Sequence, residues 1–318
     1  MINLEKTFKD INDLRFGKLI QYADPQNQSY TYDDETKRYI RSDTPTAVCQ
    51  ECEDNSANKS SDGEFSLQIV SHGIHSLDLF KIQKFNDYFD YRDDAVMLVM
   101  ESPASNLDAC YKEEFDEKHP GKHPAKVWWW ADGKSTADYK STDERTIYPY
   151  GFSSKKYGEF FNSFVHTFKL KNAYMTNLVK CGMLKDSDHN KYGNLDKFPA
   201  KCISMCFKEI FLKEVEALKP KVIFTLSSKV YNYLNEKKVI NRIEEKLGAK
   251  PYIVTLPHPA RCRQGFTNEF YRTLWYCRTL EGMINAGIIT DKEEQHKYWD
   301  KYVDAYNKWK EDKNENRI

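Results

Sequence analysis

Four places in the chain carry residue types that can do chemistry. The apolar run Val96-Met97-Leu98-Val99-Met100 ends abruptly in Glu101 and a Pro-containing turn, Ser102-Pro103-Ala104-Ser105-Asn106. A carboxylate delivered by a buried strand can orient water or offset developing positive charge. Tyr174-Met175-Thr176-Asn177-Leu178-Val179-Lys180-Cys181 sets a side-chain amide, with one acceptor and two donors, at the end of a second apolar segment. Leu256-Pro257-His258-Pro259-Ala260 sets an imidazole after a third. Cys49-Gln50-Glu51-Cys52 is a CxxC, a spacing that lets two thiolates reach one metal. Taken singly, each has an ordinary structural explanation: an acidic loop residue, a turn-forming Asn, a surface His. Their order along the chain is what distinguishes them.

Such groups need strands to carry them. Val96–Met100 and Val222-Ile223-Phe224-Thr225-Leu226 are short apolar runs bounded by turns, the pattern of buried parallel strands, and strands at 172–179 and 252–256 accompany them. Open α/β sheets bind ligands beyond the carboxyl ends of such strands. Helices are expected near 155–169, at about 200–218, from Ser227-Ser228 through Leu234, and at about 268–286. In the second of these Ile203, Cys206, Ile210, Phe211 and Val215 follow the helical period, and Lys219-Pro220 ends it. This alternation predicts a three-layer α/β/α sandwich around a central, mainly parallel sheet.

Three regions are expected. Residues 1–90 are polar and broken by Ser/Asn/Gly clusters, with a strand-like alternation over 65–70, and read as an irregular layer holding the CxxC. Residues 91–288 form the α/β domain, with an insertion at about 107–150 that contains Trp128, Trp129 and Trp130, and a loop over 181–199. Residues 289–318 form an amphipathic helix whose Tyr298, Trp299, Tyr302, Tyr306 and Trp309 suit packing onto the domain.

Lys+Arg and Asp+Glu are both 48 in the 318 residues, so any nucleic-acid surface must be a local patch. Neither a charged-then-apolar leader nor an apolar run near 18 residues is present, which points to a cytoplasmic protein without a membrane partner. The eight cysteines then call for metal ligation before disulfides.

In this order the motifs resemble those of the uracil-DNA glycosylase superfamily, most closely its iron–sulfur members, called family four. The segment Tyr174–Cys181 is nearly residue for residue that family's middle motif; Met100-Glu101-Ser102-Pro103-Ala104 is similar to its first, and His258-Pro259-Ala260 to its last. A Cys-bearing helix with Cys206 and the segment Lys219-Pro220-Lys221-Val222-Ile223-Phe224 fall between them as in the family. The resemblance implies a monofunctional glycosylase that flips a pyrimidine out of DNA and leaves an abasic site. It makes Glu101 and His258 the catalytic pair and Asn177 the base reader. The stacking aromatic would be Phe152 or Tyr150, with Met100 at the pocket floor. Ser102, Pro103, Ser105, Lys180, Arg261 and Arg263 suit contacts to DNA, single- or double-stranded, by a monomer. Cys49, Cys52, Cys181 and Cys206, with Cys202 as the alternative fourth ligand, would hold a 4Fe-4S cluster; four thiolates can also hold Zn. No lysine stands out as a Schiff-base nucleophile, so lyase chemistry is not expected.

The chain departs from the family where Met100 and Ala104 replace glycines around Glu101, and where the link to the aromatic is longer. Glycine lets a backbone approach a ligand closely, so the pocket differs. A modified cytosine is therefore placed ahead of uracil as the target, with antiviral defence as one setting. Two alternatives remain: an ordinary uracil-repair enzyme, and a DNA-binding protein of this fold that lost catalysis.

Overall fold

The computed structural model describes residues 30–33, 38–41, 66–70, 74–77, 80, 85–102, 161, 163–184, 195–258, 269–298 and 300. These fall into two compact units. The first draws on Met1–Ile74, Glu101–Gly158 and Thr176–Ala217, the second on His75–Met100, Glu159–Met175 and Leu218–Ile318.

The second unit is built on a sheet. Nine strands are described in chain order: β1 (Tyr30–Asp33), β2 (Arg38–Arg41), β3 (Ser66–Val70), β4 (Ile74–His75), β5 (Arg92–Met100), β6 (Leu170–Asn177), β7 (Cys181–Leu184), β8 (Val222–Thr225) and β9 (Tyr252–Thr255). The main sheet has the order β4-β6-β5-β8-β9, and its four longer strands run parallel. The register pairs Val96 with Val222 and Val222 with Tyr252. β6 lies on one side of β5 and β8 on the other, so the winding reverses at β5, the kind of switch point beyond which α/β sheets take ligands. With its helices this is the expected α/β fold with a central, mainly parallel sheet.

The later half of β5 and the first three residues of β8 are apolar because they are buried: Val96, Met97, Leu98, Val99, Val222, Ile223 and Phe224 all lie in the core. The described α-helices include α1 (Ala200–Cys206), α2 (Leu212–Leu218), α3 (Ser228–Leu234), α4 (Lys237–Leu247), α5 (Glu269–Asn285) and α6 (Lys292–Tyr298). Ser227 caps α3 by accepting the Lys229 N–H at 3.1 Å. The expected helix near 155–169 is described from 163 to 167; there Phe164 meets Phe224 and Trp275 edge-on at 6.2 and 5.1 Å.

Gly282 of α5 is set by that packing. A Cβ added there would lie 2.7 Å from Cε1 of Phe224 and 3.1 Å from Val254 Cγ2. The Phe224 ring is fully buried and has nowhere to go. Gly282→Ala is expected to be net destabilising in a urea titration, because overpacking of about 1–3 kcal/mol outweighs a helix-propensity gain of about 1 kcal/mol.

An aromatic cluster flanks β5. Tyr91 Oη lies 2.7 Å from His166 Nδ1, and Phe80 and Phe85 meet the imidazole at ring distances of 5.9 and 5.0 Å. Burial holds the His166 pKa below its usual 6.5. Above 6.5 the ring is neutral in both states. As pH falls below 6.5 the unfolded chain takes up the proton that the folded chain resists, so stability drops with acid. The urea midpoint should fall on going from neutral to mildly acidic pH, and by less in His166→Phe.

Of the C-terminal aromatic stripe, Tyr298 is described. Tyr298 donates to the Thr167 carbonyl at 2.8 Å and its ring lies 5.5 Å from Phe168, while Arg92 pairs with Glu294. Trp299, Tyr302, Tyr306 and Trp309 lie outside the described residues.

The first unit corrects several expectations. The N-terminal layer is not wholly irregular: β1 and β2 pair antiparallel, Tyr30 opposite Arg41, consistent with the β-forming Tyr30, Thr31, Tyr32 and Tyr39. The 181–199 segment is not simply a loop, since β7 opens it and the 3-10 turn Leu195–Lys197 closes it. β7 pairs antiparallel with the expected strand β3, setting Val70 opposite Cys181. The helix expected over 200–218 is interrupted by the π turn Phe207–Phe211 between α1 and α2. In the second unit, α4 was not expected; it buries Val239 and Ile243 and ends at Gly248, whose φ of 72° is the left-handed cap that glycine adopts cheaply.

Candidate active site

Glu101 is the first residue beyond β5 and is half-buried. Its position is fixed twice within the first unit. Its carbonyl accepts the Val179 N–H at 2.9 Å, and its carboxylate oxygen Oε2 accepts the backbone N–H of Leu195 at the start of the 3-10 turn. The first bond ties the turn after β5 to the turn after β6, and the second sets the direction of the carboxylate. Ser102 follows, half-buried, with an Oγ that is buried and has no hydrogen-bond partner among the described residues.

Asn177 ends β6 and is 1% exposed. Tyr174, Met175 and Thr176 before it and Leu178 and Val179 after it are all buried. Apolar neighbours on both sides draw the strand end into the core and carry the amide with it, so this is no solvated turn former. A buried amide of this kind can pair bidentately with a planar ligand edge.

Lys180 is a correction. It was expected to assist at DNA phosphates, yet it is 1% exposed and points inward. Its Nζ lies 2.6 Å from Glu214 Oε2 and 2.7 Å from Thr176 Oγ1, and it also donates to the Asn177 carbonyl. An ammonium so enclosed cannot reach a phosphate.

Thr176, Glu214 and Leu195 were not expected at this place. Glu214 had a readable signal, for it falls four residues after Ile210 and four before Leu218, on the apolar stripe of its helix. Charge on a buried face implies a buried partner. The Leu195 contact left no signal, since it is a backbone N–H.

His258 belongs to the second unit. It stands three residues after β9, half-buried, in the stretch that follows Leu256, whose N–H is bound to the Thr225 carbonyl at 2.7 Å. Met100, expected at a pocket floor, is the last residue of β5 and is 8% exposed.

Comparison with known families adds to this geometry. The family model described as the uracil DNA glycosylase superfamily matches residues 137–277. That match supports membership of the superfamily. Neither the curated proteins nor the solved structures yield a match.

A uracil DNA glycosylase superfamily match carries general consequences: it supports glycosylase chemistry, hydrolysis of an N-glycosyl bond, with DNA as the partner. The matched stretch contains Asn177, Cys181, Cys202, Cys206 and His258; Glu101 precedes it. Among the described residues, no helix is long and apolar enough to cross a membrane.

The four-cysteine ligand set that the resemblance implied falls only in part within the described residues. Cys202 and Cys206 are both buried, one turn apart on α1, and Cys181 opens β7. Cys49 and Cys52 lie outside the described residues, as do Phe152, Tyr150, Pro103, Ser105, Arg261 and Arg263. Among the described residues, His, Cys, Asp and Glu form no group of three or more suited to a metal. Cys277 differs in kind: burial and the nearby Glu281 push its thiol up to about 12. It is therefore expected to resist alkylation by iodoacetamide in the folded protein at mildly alkaline pH, as intact mass would show.

Proposed function

We propose that this chain is a monofunctional DNA glycosylase which extrudes a pyrimidine nucleotide and hydrolyses its N-glycosidic bond. The observation that carries the reading is the joined pair of strand ends: a half-buried carboxylate, Glu101, bound through its backbone to the turn that follows the buried amide of Asn177.

In this reading Asn177 pairs with the Watson–Crick edge of the flipped base. As the C1′–N bond breaks, its electron pair leaves with the base and positive charge grows on the deoxyribose. His258 donates a hydrogen bond to the base carbonyl and stabilises the departing anion. Glu101 offsets the sugar charge and orients the water whose oxygen bonds to C1′, its proton passing to the carboxylate. The products are free base and an abasic site. Phe152 or Tyr150 would stack on the base, and Arg261 and Arg263 would hold phosphates of single- or double-stranded DNA, the protein acting as a monomer in the cytoplasm.

The base favoured is a bulky modified cytosine ahead of uracil, because Met100 and Ala104 stand where the resembled motif has glycine; antiviral defence is the setting that suits such a substrate. The test is incubation with uracil-containing, unmodified and phage-modified DNA. Alkali-labile breaks and identification of the released base by mass are expected from one of them, and none from any of the three would sink the reading.

A 4Fe-4S cluster on Cys49, Cys52, Cys181 and Cys206, or Cys202 in the last place, is part of the proposal. The buried thiols of α1 and the β3–β7 pairing that leads the N-terminal layer to Cys181 support it. Visible absorbance of protein purified anaerobically, with iron and zinc analysis, separates cluster from Zn.

A further inference from the structure

Lys180 and Glu214 form a buried ion pair that the chemistry above leaves unused, with side chains 1% and 0% exposed. An ammonium has three donors, and here three acceptors surround it: Thr176 Oγ1 at 2.7 Å, Glu214 Oε2 at 2.6 Å and the Asn177 carbonyl. The Phe211 ring covers another side, 5.7 Å from Nζ to its centroid. The Thr176 hydroxyl lies 3.1 and 3.2 Å from the two Glu214 oxygens, so it bridges the carboxylate and the ammonium.

Stability alone is a poor reason for such an arrangement, since an apolar pair of similar volume is often as good or better in a core. What the network does fix is the backbone around Asn177. It grips the Thr176 side chain before Asn177 and the Asn177 carbonyl itself. Two residues on, the Val179 N–H is held by Glu101 at 2.9 Å. The peptide after Asn177 cannot rotate without breaking one of these bonds, and the Cα–Cβ bond that carries the amide is held with it.

We propose that Lys180 and Glu214 are positioning residues for Asn177, the buried ammonium holding the strand end so that the amide presents one fixed edge to the base. The meaning of that edge rests on the glycosylase reading; the positioning itself does not. An amide turned over exchanges its donor for its acceptor, so losing the grip costs selectivity and rate rather than DNA affinity.

The test uses the full chain in wild type, in the paired Lys180→Met, Glu214→Leu variant, which removes both charges at similar volume, and in Lys180→Arg. The latter keeps the charge but cannot set one nitrogen among three acceptors. The first readout needs no catalysis: the side-chain amide resonances of Asn177, assigned by their loss in Asn177→Asp, should shift and exchange faster with solvent in both variants. The second is base release, where single-turnover rate should fall about 10–100-fold with KM for DNA little changed, and preference for the target base over unmodified cytosine should fall with it. A variant that melts cooperatively yet keeps the wild-type Asn177 resonances overturns the proposal, as does one that keeps wild-type rate and selectivity. If wild type itself releases no base from any DNA, the glycosylase reading fails, and the resonances alone decide the positioning.

Discussion

Glu101→Gln is expected to slow single-turnover base release about 100- to 10,000-fold, equivalent to about 3–5 kcal/mol of transition-state stabilisation, with DNA affinity nearly unchanged. The size follows from what the substitution leaves in place. Gln keeps the shape and one carbonyl oxygen, and that oxygen can still accept the Leu195 N–H that now meets Oε2. The side chain therefore stays where it is. What goes is the negative charge beside the sugar and the oxygen that takes a proton from water, and the position left facing the reaction becomes an NH2 donor. An effect confined to rate, with fold and binding preserved, is the signature of an interaction made mainly in the transition state. Rapid-quench assays on the DNA that wild type cleaves, beside a binding titration on the same DNA, measure both quantities. A Gln variant as fast as wild type would remove Glu101 from the mechanism.

The place of Glu101 at the end of β5 was legible because an apolar run that stops at a carboxylate is a local pattern, and β5 and β8 were legible because burial leaves Val96–Met100 and Val222–Phe224 apolar. Helix α5, expected at about 268–286, is described over Glu269–Asn285. Elements whose evidence is non-local were missed. β7 pairs with β3 across more than a hundred residues of chain, and nothing in Cys181-Gly182-Met183-Leu184 announces its partner. α4 is a different case: Val239, Ile240, Ile243 and Leu247 follow the helical period among charged residues, a local stripe that was readable and was passed over. The π turn at Phe207–Phe211 leaves the apolar spacing of the helix almost intact and so hides within it. Lys180 was misread for a related reason. A lysine after a strand is ordinarily solvated, and its counter-charge lies 34 residues on, in a helix where Glu214 reads as one more surface acid unless its phase on the apolar face is counted.

That buried pair yields the largest expected effect on stability. Lys180→Met alone removes the cation that lies 2.6 Å from the Glu214 carboxylate, which stays at 0% exposure beside the Thr176 hydroxyl. Breaking one side of a buried pair costs about 3–5 kcal/mol, a large share of the roughly 5–15 kcal/mol that holds a typical domain together. The paired variant, Lys180→Met with Glu214→Leu, is expected to recover most of that loss, since no charge is left without a partner. Urea unfolding of wild type, both single variants and the double completes the cycle. A coupling energy near zero would mean that the two side chains do not act as a unit, and a double variant as unstable as the single would mean that the pair stabilises the fold outright. Recovery of stability combined with a displaced Asn177 amide would separate the two roles: the network is dispensable for folding, and what its charges contribute is the direction of the residue that reads the base.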